Sequence, residues 1–337
     1  MTTLTMKGEL KNMIALTSMM LVLGSLSLPA AQAEQASARE KPRITVTEIE
    51  ALRGDSVQVT SLNDRGVIVG AMYFADIDRA VPISWNPRDG VEKVVGDLPG
   101  AESGIATDIN NRGTIVGNIV YNMVPRGFMW SEADGFVDLG SFLPNAINDR
   151  GQIAGTCVEE LSQNFQFWPC FWEDGSITEL GDGGRSGGAS GINERGEVVG
   201  QVGLSAFVWS PRTGIVRLPT ELPGQSVGYA VVINNHGLIA GFRSPGVARE
   251  LALWTRDGDL EALPINEAAP QSINDRGWIV GWYITSAMVQ HAFLLTDAKE
   301  FIDLGPSFAW SINKSGDILG STRDGEHRVL IWQVAKK

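Results

Sequence analysis

Ile109-Asn110-Asn111-Arg112-Gly113-Thr114-Ile115-Val116-Gly117 is one of seven copies of a single phrase: an aliphatic residue, asparagine, two polar residues, glycine, then aliphatics and a second glycine. The asparagines are Asn63, Asn110, Asn148, Asn193, Asn234, Asn274 and Asn313, spaced 47, 38, 45, 41, 40 and 39 residues apart. Around each lie four strand-sized pieces. Piece A ends at the aliphatic-Asn pair, and B follows the turn glycine. C is an aromatic-rich run such as Phe128-Met129-Trp130 or Phe207-Val208-Trp209, and D ends in Leu before Gly or Pro, as at Leu139 and Leu304. Four short strands at a period near 40 are the size of one propeller blade. The sequence therefore predicts an all-β, seven-bladed β-propeller over residues 44–337.

The turns carry a mechanism. Asn with Gly three positions later suits a type I turn: the Asn side chain bonds the backbone two residues on, and Gly takes the left-handed conformation that follows. Lys314 and Arg65 stand among the would-be ligands of a calcium loop and argue against one. Between C and D, Asp89-Gly90, Asp134-Gly135, Asp174-Gly175 and Asp257-Gly258 read as two-residue hairpins. A glycine closes B in every unit (Gly70 to Gly320), and the aromatic of C is expected to lie over it. Trp85, Trp130, Trp172, Trp209, Trp254 and Trp332 are expected to pack as seams between blades.

Closure is written at the chain ends. The last unit has A, B and C and reaches Lys337 with no D. The first A is preceded by Ile44-Thr45-Val46-Thr47-Glu48-Ile49-Glu50-Ala51-Leu52, an alternating strand whose Glu50-Ala51-Leu52 echoes Glu261-Ala262-Leu263. This N-terminal strand is expected to complete the last blade and remove its open edge.

Residues 1–33 read as an export signal. Lys7 and Lys11 precede an apolar run from Met13 to Leu28, and Ala31-Gln32-Ala33 is a small-x-small cleavage site. Residues 34–43 read as a polar leader. A secreted or periplasmic location follows, with the signal cleaved after Ala33. The 27 basic and 39 acidic residues leave a net charge of −12, which disfavours nucleic acid and anionic lipid as partners. No run after the signal is long and apolar enough to insert into a membrane as a helix. Cys157 and Cys170, the only cysteines, sit in B and C of the third unit; in an exported protein they are expected to form a cross-strand disulfide.

A–B and C–D turns are short and alike and share one face. B–C and D–A connections vary and share the other, so a binding site is expected there. Its candidates are Tyr73, Asp76, Asp78, Arg126, Trp168, Arg185, Tyr229, Arg243, Trp282, Tyr283, His291 and Trp310, the tryptophans for stacking and the arginines for anionic groups. No cofactor or metal is indicated. His236, His291 and His327 fall in different units, and the elbow-like Gly224-Gln225-Ser226-Val227-Gly228 precedes a β run where a nucleophile elbow needs a helix. The leading reading is a binding module for a glycan, a peptide or an envelope component. Two alternatives stay open: a carbohydrate-active hydrolase or lyase using Asp76, Asp78, Glu159 and Glu160, and a subunit of an envelope assembly.

His291-Ala292-Phe293 follows Ile273-Asn274-Asp275-Arg276-Gly277-Trp278-Ile279-Val280-Gly281 and precedes Asp303-Leu304-Gly305. With Arg126-Gly127-Phe128 and Ser205-Ala206-Phe207 in the same frame, the units from Ile44 to Gln333 resemble the HAF-type bacterial extracellular repeat family. The resemblance implies export and a repeat fold; it brings no activity and no catalytic residues.

Overall fold

The computed structural model describes residues 43–49, 56–88, 90–95, 100–161, 164–181, 183, 186–220, 227–244, 249–323 and 328–335. The expected export signal, the leader up to Pro42, Glu50-Ala51-Leu52, Asp89, Arg185, Gly224 to Ser226 and His327 lie outside them. The chain is all-β and forms a seven-bladed propeller of seven four-stranded antiparallel sheets. In blades 1 to 6 the strands run A-B-C-D in order. The A strands are Ser56–Leu62, Ala101–Ile109, Phe142–Ile147, Gly187–Ile192, Val227–Ile233, Ala269–Ile273 and Ser307–Ile312. Each touches the A strand of the next blade, and the seventh returns to the first, so the A strands line the axis of a closed ring.

Blade 7 is completed by the N-terminal strand. Ile44–Ile49 pairs antiparallel with Val329–Val334, from Ile44 opposite Val334 to Ile49 opposite Val329. Ile44 and Ile49 pack on the hydrophobic clusters to either side of this blade. This pairing covers the edge of Val329–Val334 and gives blade 7 the same four strands as the others.

Seven hydrophobic clusters each join two successive blades. Trp85, Trp209, Trp254 and Trp332 are buried within them, and Trp130 and Trp172 pack against two more. The seam between blades 5 and 6 is built from Leu and Phe side chains around Leu253, Phe293 and Leu295.

All seven A–B turns share one geometry. The Gly N–H bonds the Asn carbonyl, the Asn N–H bonds the carbonyl four residues on, and the glycine is left-handed. Every A strand also carries a bulge three residues before that Asn, at Thr60, Thr107, Asn145, Ser190, Val231, Gln271 and Trp310. The extra residue bends the strand and turns a backbone carbonyl onto the glycine of B. At all seven B glycines the first atom a Cβ would strike is such a carbonyl oxygen. The expected ring of C is also there at Gly117, Gly200 and Gly320, from Phe128, Phe207 and Trp332. At Gly155 the ring is Phe142 of strand A. The common cause is therefore close backbone approach at the bulge.

Cys157 and Cys170 are joined, with Cα atoms 5.8 Å apart. They sit diagonally across the B–C ladder, since Cys157 opposes Trp168 and Cys170 opposes Gly155. Both are buried with Trp168 at the seam between blades 2 and 3.

Candidate functional site

The axis is a channel cavity of about 300 Å³, walled by the last residues of the A strands and their turns. Belts of hydrogen bonds run round it from blade to blade. In one, each turn Asn is buried and its Nδ2 donates to the carbonyl of the next blade's Asn: Asn63 to Asn110, Asn110 to Asn148, and onward to Asn313, at 3.0–3.2 Å. At the seventh junction Asn313 turns its amide to Asp317. In the next belt outward, Asn111, Asp149, Glu194, Asn235 and Asp275 use a side-chain oxygen to accept the N–H of the preceding blade's counterpart. Lys314 has no acceptor to offer blade 6; its own N–H donates to Asp64 Oδ1, and its Nζ lies 3.3 Å from Asp64 Oδ2.

The channel mouth on the A–B face is thus acidic, with four carboxylates, two amides and one ammonium. Burial works against the Lys314 charge, but Asp64, Asp149 and Asp275 outweigh it and hold its pKa above the ordinary lysine value.

Deeper in the wall is a group the sequence reading passed over, Asp108. Its carboxylate accepts Ser61 Oγ of blade 1 at 2.6 Å, Ile147 N of blade 3 at 2.9 Å and its neighbour Ile109 N. Burial pushes its pKa up to about 6 from 3.8, with a small contribution from Asp149, against the pull of those three donors. Since the folded value lies above the unfolded one, this group's contribution to stability is full below pH 3.8 and is lost as pH rises through about 6. The difference corresponds to about 3 kcal/mol. Subtracting the urea-unfolding pH profile of Asp108→Asn from that of the natural chain is expected to isolate this step. A flat difference profile would show that the donors, not burial, set the ionisation.

Aromatic rings also cross the seam between blades 6 and 7. Phe308 stacks on Trp310 at 5.2 Å and 15°, and Trp282 meets Phe308 edge-on at 6.3 Å and 80°. Trp310 is the bulge residue of its strand, lines the channel, and donates its indole N–H to Ser321 Oγ. Trp282 and Trp310 are both half-buried. The bulge places Trp310 on the axis, where the counterparts in blades 1 to 4 are Thr60, Thr107, Asn145 and Ser190.

Trp282 and Trp310 are brought together through Phe308, and Tyr283 sits edge-on to His291 at 6.0 Å. The other sequence-selected residues lie in separate blades. Tyr73 donates to Asp78 within its own loop, and Asp76 is exposed beside them. Arg126 pairs with Asp138, and His291 Nδ1 pairs with Asp303 at 2.9 Å, at equivalent places in blades 2 and 6. In both blades that aspartate also accepts the N–H of the glycine two residues on. The His of the His-Ala-Phe triplet thus ties strand C to the end of D. Burial pushes the neighbouring Tyr283 phenol up to about 12, aided by Asp303. Tyr229 stacks on Phe242 at 5.4 Å and accepts Ser190 Oγ, Arg243 is buried against Glu250, and Trp168 is buried opposite Cys157.

No family model matches the chain, and no curated protein matches it either. Solved structures do. The chain is similar to virginiamycin B lyase from Staphylococcus aureus at 12% identity and a TM-score of 0.60, over 87% of this chain and 100% of that one. It is similar to oligogalacturonate lyase from Vibrio parahaemolyticus at 10% identity and a TM-score of 0.57, over 88% and 99%. It is also similar to the β-propeller domain of the Trilobed protease from Pyrococcus furiosus at 12% identity and a TM-score of 0.54, over 74% and 84%. At such identities the likeness is one of architecture: the chain shares the propeller with these proteins.

Proposed function

We infer that this chain is an exported HAF-type repeat protein that works as a binding module, with its ligand held on the face of the B–C and D–A connections. One observation supports the reading above the others. The rings of Trp282, Phe308 and Trp310 run across a blade seam to the axis, Trp282 lying near the end of its B strand and Phe308 near the start of its A strand. Half-buried indoles suit a flat apolar partner face, such as the C–H face of a sugar ring or a peptide side chain. Tyr229 and Phe242 extend the aromatic lining in blade 5.

The test is a calorimetric screen of the mature protein against glycans and peptides. A specific ligand is expected to bind at least about tenfold more weakly to Trp282→Ala, through lost stacking. Trp310 also packs on a hydrophobic cluster, so Trp310→Phe, which keeps a ring, is expected to lose less than Trp310→Ala. Undiminished binding by both alanine variants would move the site elsewhere.

One observation favours the hydrolase or lyase alternative: Asp108 is a channel carboxylate whose pKa is raised toward neutrality, as acid–base catalysis requires. Two of the similar folds are named lyases. All three donors around Asp108 belong to the protein's own wall, however, and this places its carboxylate in a structural role first.

A further inference from the structure

Strand C carries a tryptophan at one fixed place in six blades: Trp85, Trp130, Trp172, Trp209, Trp254 and Trp332. Each stands opposite the aliphatic residue two before the glycine of B, as Trp254 stands opposite Ile239. In blade 6 the residue at that place, opposite Ile279, is Leu295. The seam to which Leu295 belongs, between blades 5 and 6, holds a cavity of about 230 Å³. Its apolar lining is Leu238, Leu253, Ile279 and Leu295, and it lies between the A–B turn of blade 5 and the C–D turn of blade 6.

The neighbouring seam, between blades 4 and 5, is filled at the same positions. Trp254 is fully buried there and donates its indole N–H to Pro219 O at 2.8 Å. Two residues on, the Arg256 side chain lies over Gly237 and comes within 3.5 Å of Glu197 in blade 4. The counterparts of Trp254, Arg256 and Glu197 around the cavity are Leu295, Asp297 and Leu238. A ring and an ion pair are thus replaced by two leucines and one short side chain. A methyl added at Gly277 would meet only Leu238 and the Asp297 Cβ within 4 Å. No Phe, Tyr or Trp among the described residues lines the cavity. The stacked pair Phe293–Phe301, at 5.3 Å and 21°, does not stand in for the missing indole: Phe128 and Phe136 of blade 2 stack alike, at 5.4 Å and 21°, with Trp130 packed beside them.

We propose that this seam binds a small uncharged aromatic molecule of about the size of indole, its ring packed where the other seams pack a tryptophan of their own. The fold itself shows that a seam of this kind accepts such a ring. An engineered apolar cavity of roughly 150 Å³ takes up benzene, so the larger space here admits a bicyclic ring. The charges at the rim are already engaged. Lys299 Nζ donates to Glu261 at 2.8 Å, and the Arg276 guanidinium lies over the Trp278 ring at 5.2 Å. Asp297 accepts the Trp278 indole N–H at 3.2 Å, and Asp275 accepts the Asn235 N–H at 3.0 Å. His236 stands exposed at the edge. Selection therefore falls to shape and apolar contact with the leucine and isoleucine wall. The site rests on this seam alone and does not depend on the aromatic sector of blades 6 and 7.

The test is a titration of the full chain with indole, read by NMR on isotope-labelled leucine and isoleucine methyl groups. Saturable shifts are expected at Leu238, Leu253, Ile279 and Leu295. Leu295→Trp restores the chain's own ring to the seam; it is expected to abolish the shifts at the other three residues and to raise the melting temperature. Leu238→Glu copies Glu197 of blade 4, so it is expected to fold, and it sets a carboxylate in the wall that should weaken indole binding at least about tenfold. The proposal is overturned if indole leaves these methyl groups unmoved, or if either folded variant binds indole as well as the natural chain. It is equally overturned if indole acetate binds more tightly than indole, since the rim would then be selecting an anion.

Discussion

Asn148→Ala is expected to cost about 4 kcal/mol in urea unfolding, far more than a polar surface substitution. The side chain is 3% exposed and makes four hydrogen bonds. Its Oδ1 accepts Arg150 N and Gln152 N, which holds the turn, while its Nδ2 donates to Asn193 O of blade 4 and to Gln152 Oε1. Alanine leaves the buried Gln152 N–H without its acceptor, an orphan that costs about 1–3 kcal/mol, and takes from the Asn193 carbonyl one of its two donors, Gly196 N–H remaining. Asn148→Asp separates the two roles. It keeps the acceptor for the turn but points a second oxygen at the Asn193 carbonyl, so its deficit should shrink in acid as the carboxyl gains a proton to donate. Asn313→Ala is the control, because that amide bonds Asp317 of its own blade and no neighbour; it should cost less. A loss below about 1 kcal/mol for Asn148→Ala would mean that water replaces the belt, and the asparagines would then be turn formers only.

The turn role of these asparagines was legible because it is local: Asn, two polar residues and Gly define one hairpin without reference to any other blade. So were the seven bladed units, the latch of Ile44–Ile49 on the last blade and the tryptophan seams, since each follows from strand-length apolar runs and their period. The belts were not. They join residues about 40 apart whose relative height depends on how one sheet is set against the next, and no single unit contains that information. A trace existed in hindsight: the residue after each turn Asn is Asp, Asn, Asp, Glu, Asn, Asp and then Lys, six acceptors and one exception at the closing seam. Asp108 left no such trace, because its counterparts are Ser61, Ala146, Gly191, Val232, Ser272 and Ser311. Only its burial beside Ser61 and Ile147 distinguishes it.

For the candidate site the sequence showed which residues face variable loops, but not what each side chain already holds. His291 and Arg126 read as free ligands in the sequence; in the structure each is paired with the aspartate of the adjoining D strand. Trp310 lies in strand A, away from the repeated Trp of strand C, and the bulge that swings it to the axis is invisible in the alternation of apolar residues. The bulge also explains the glycines more fully than ring packing did, and that explanation carries the second large effect.

Gly320→Ala is expected to destabilise the fold by at least about 3 kcal/mol, although every local rule points the other way. The backbone at Gly320 is not left-handed, so alanine there should restrict the unfolded chain and add about 0.4–1 kcal/mol of stability. Space reverses the sign. An added methyl would fall on the carbonyl oxygen of Phe308 and on the ring of Trp332. Neither can yield cheaply: Phe308 is fixed opposite Ser321 in the bulged ladder, and Trp332 is 4% exposed within the seam between blades 6 and 7. Overpacking against backbone forces the bulge itself to open. Gly135→Ala separates sterics from conformation, since Gly135 sits at φ 67° with nothing within 4 Å of the added carbon. That variant should lose only about 1–2 kcal/mol, the cost of a left-handed side chain. If Gly320→Ala proves neutral or stabilising while Gly135→Ala behaves as described, close approach at the bulge is not what keeps glycine at the end of strand B in all seven blades.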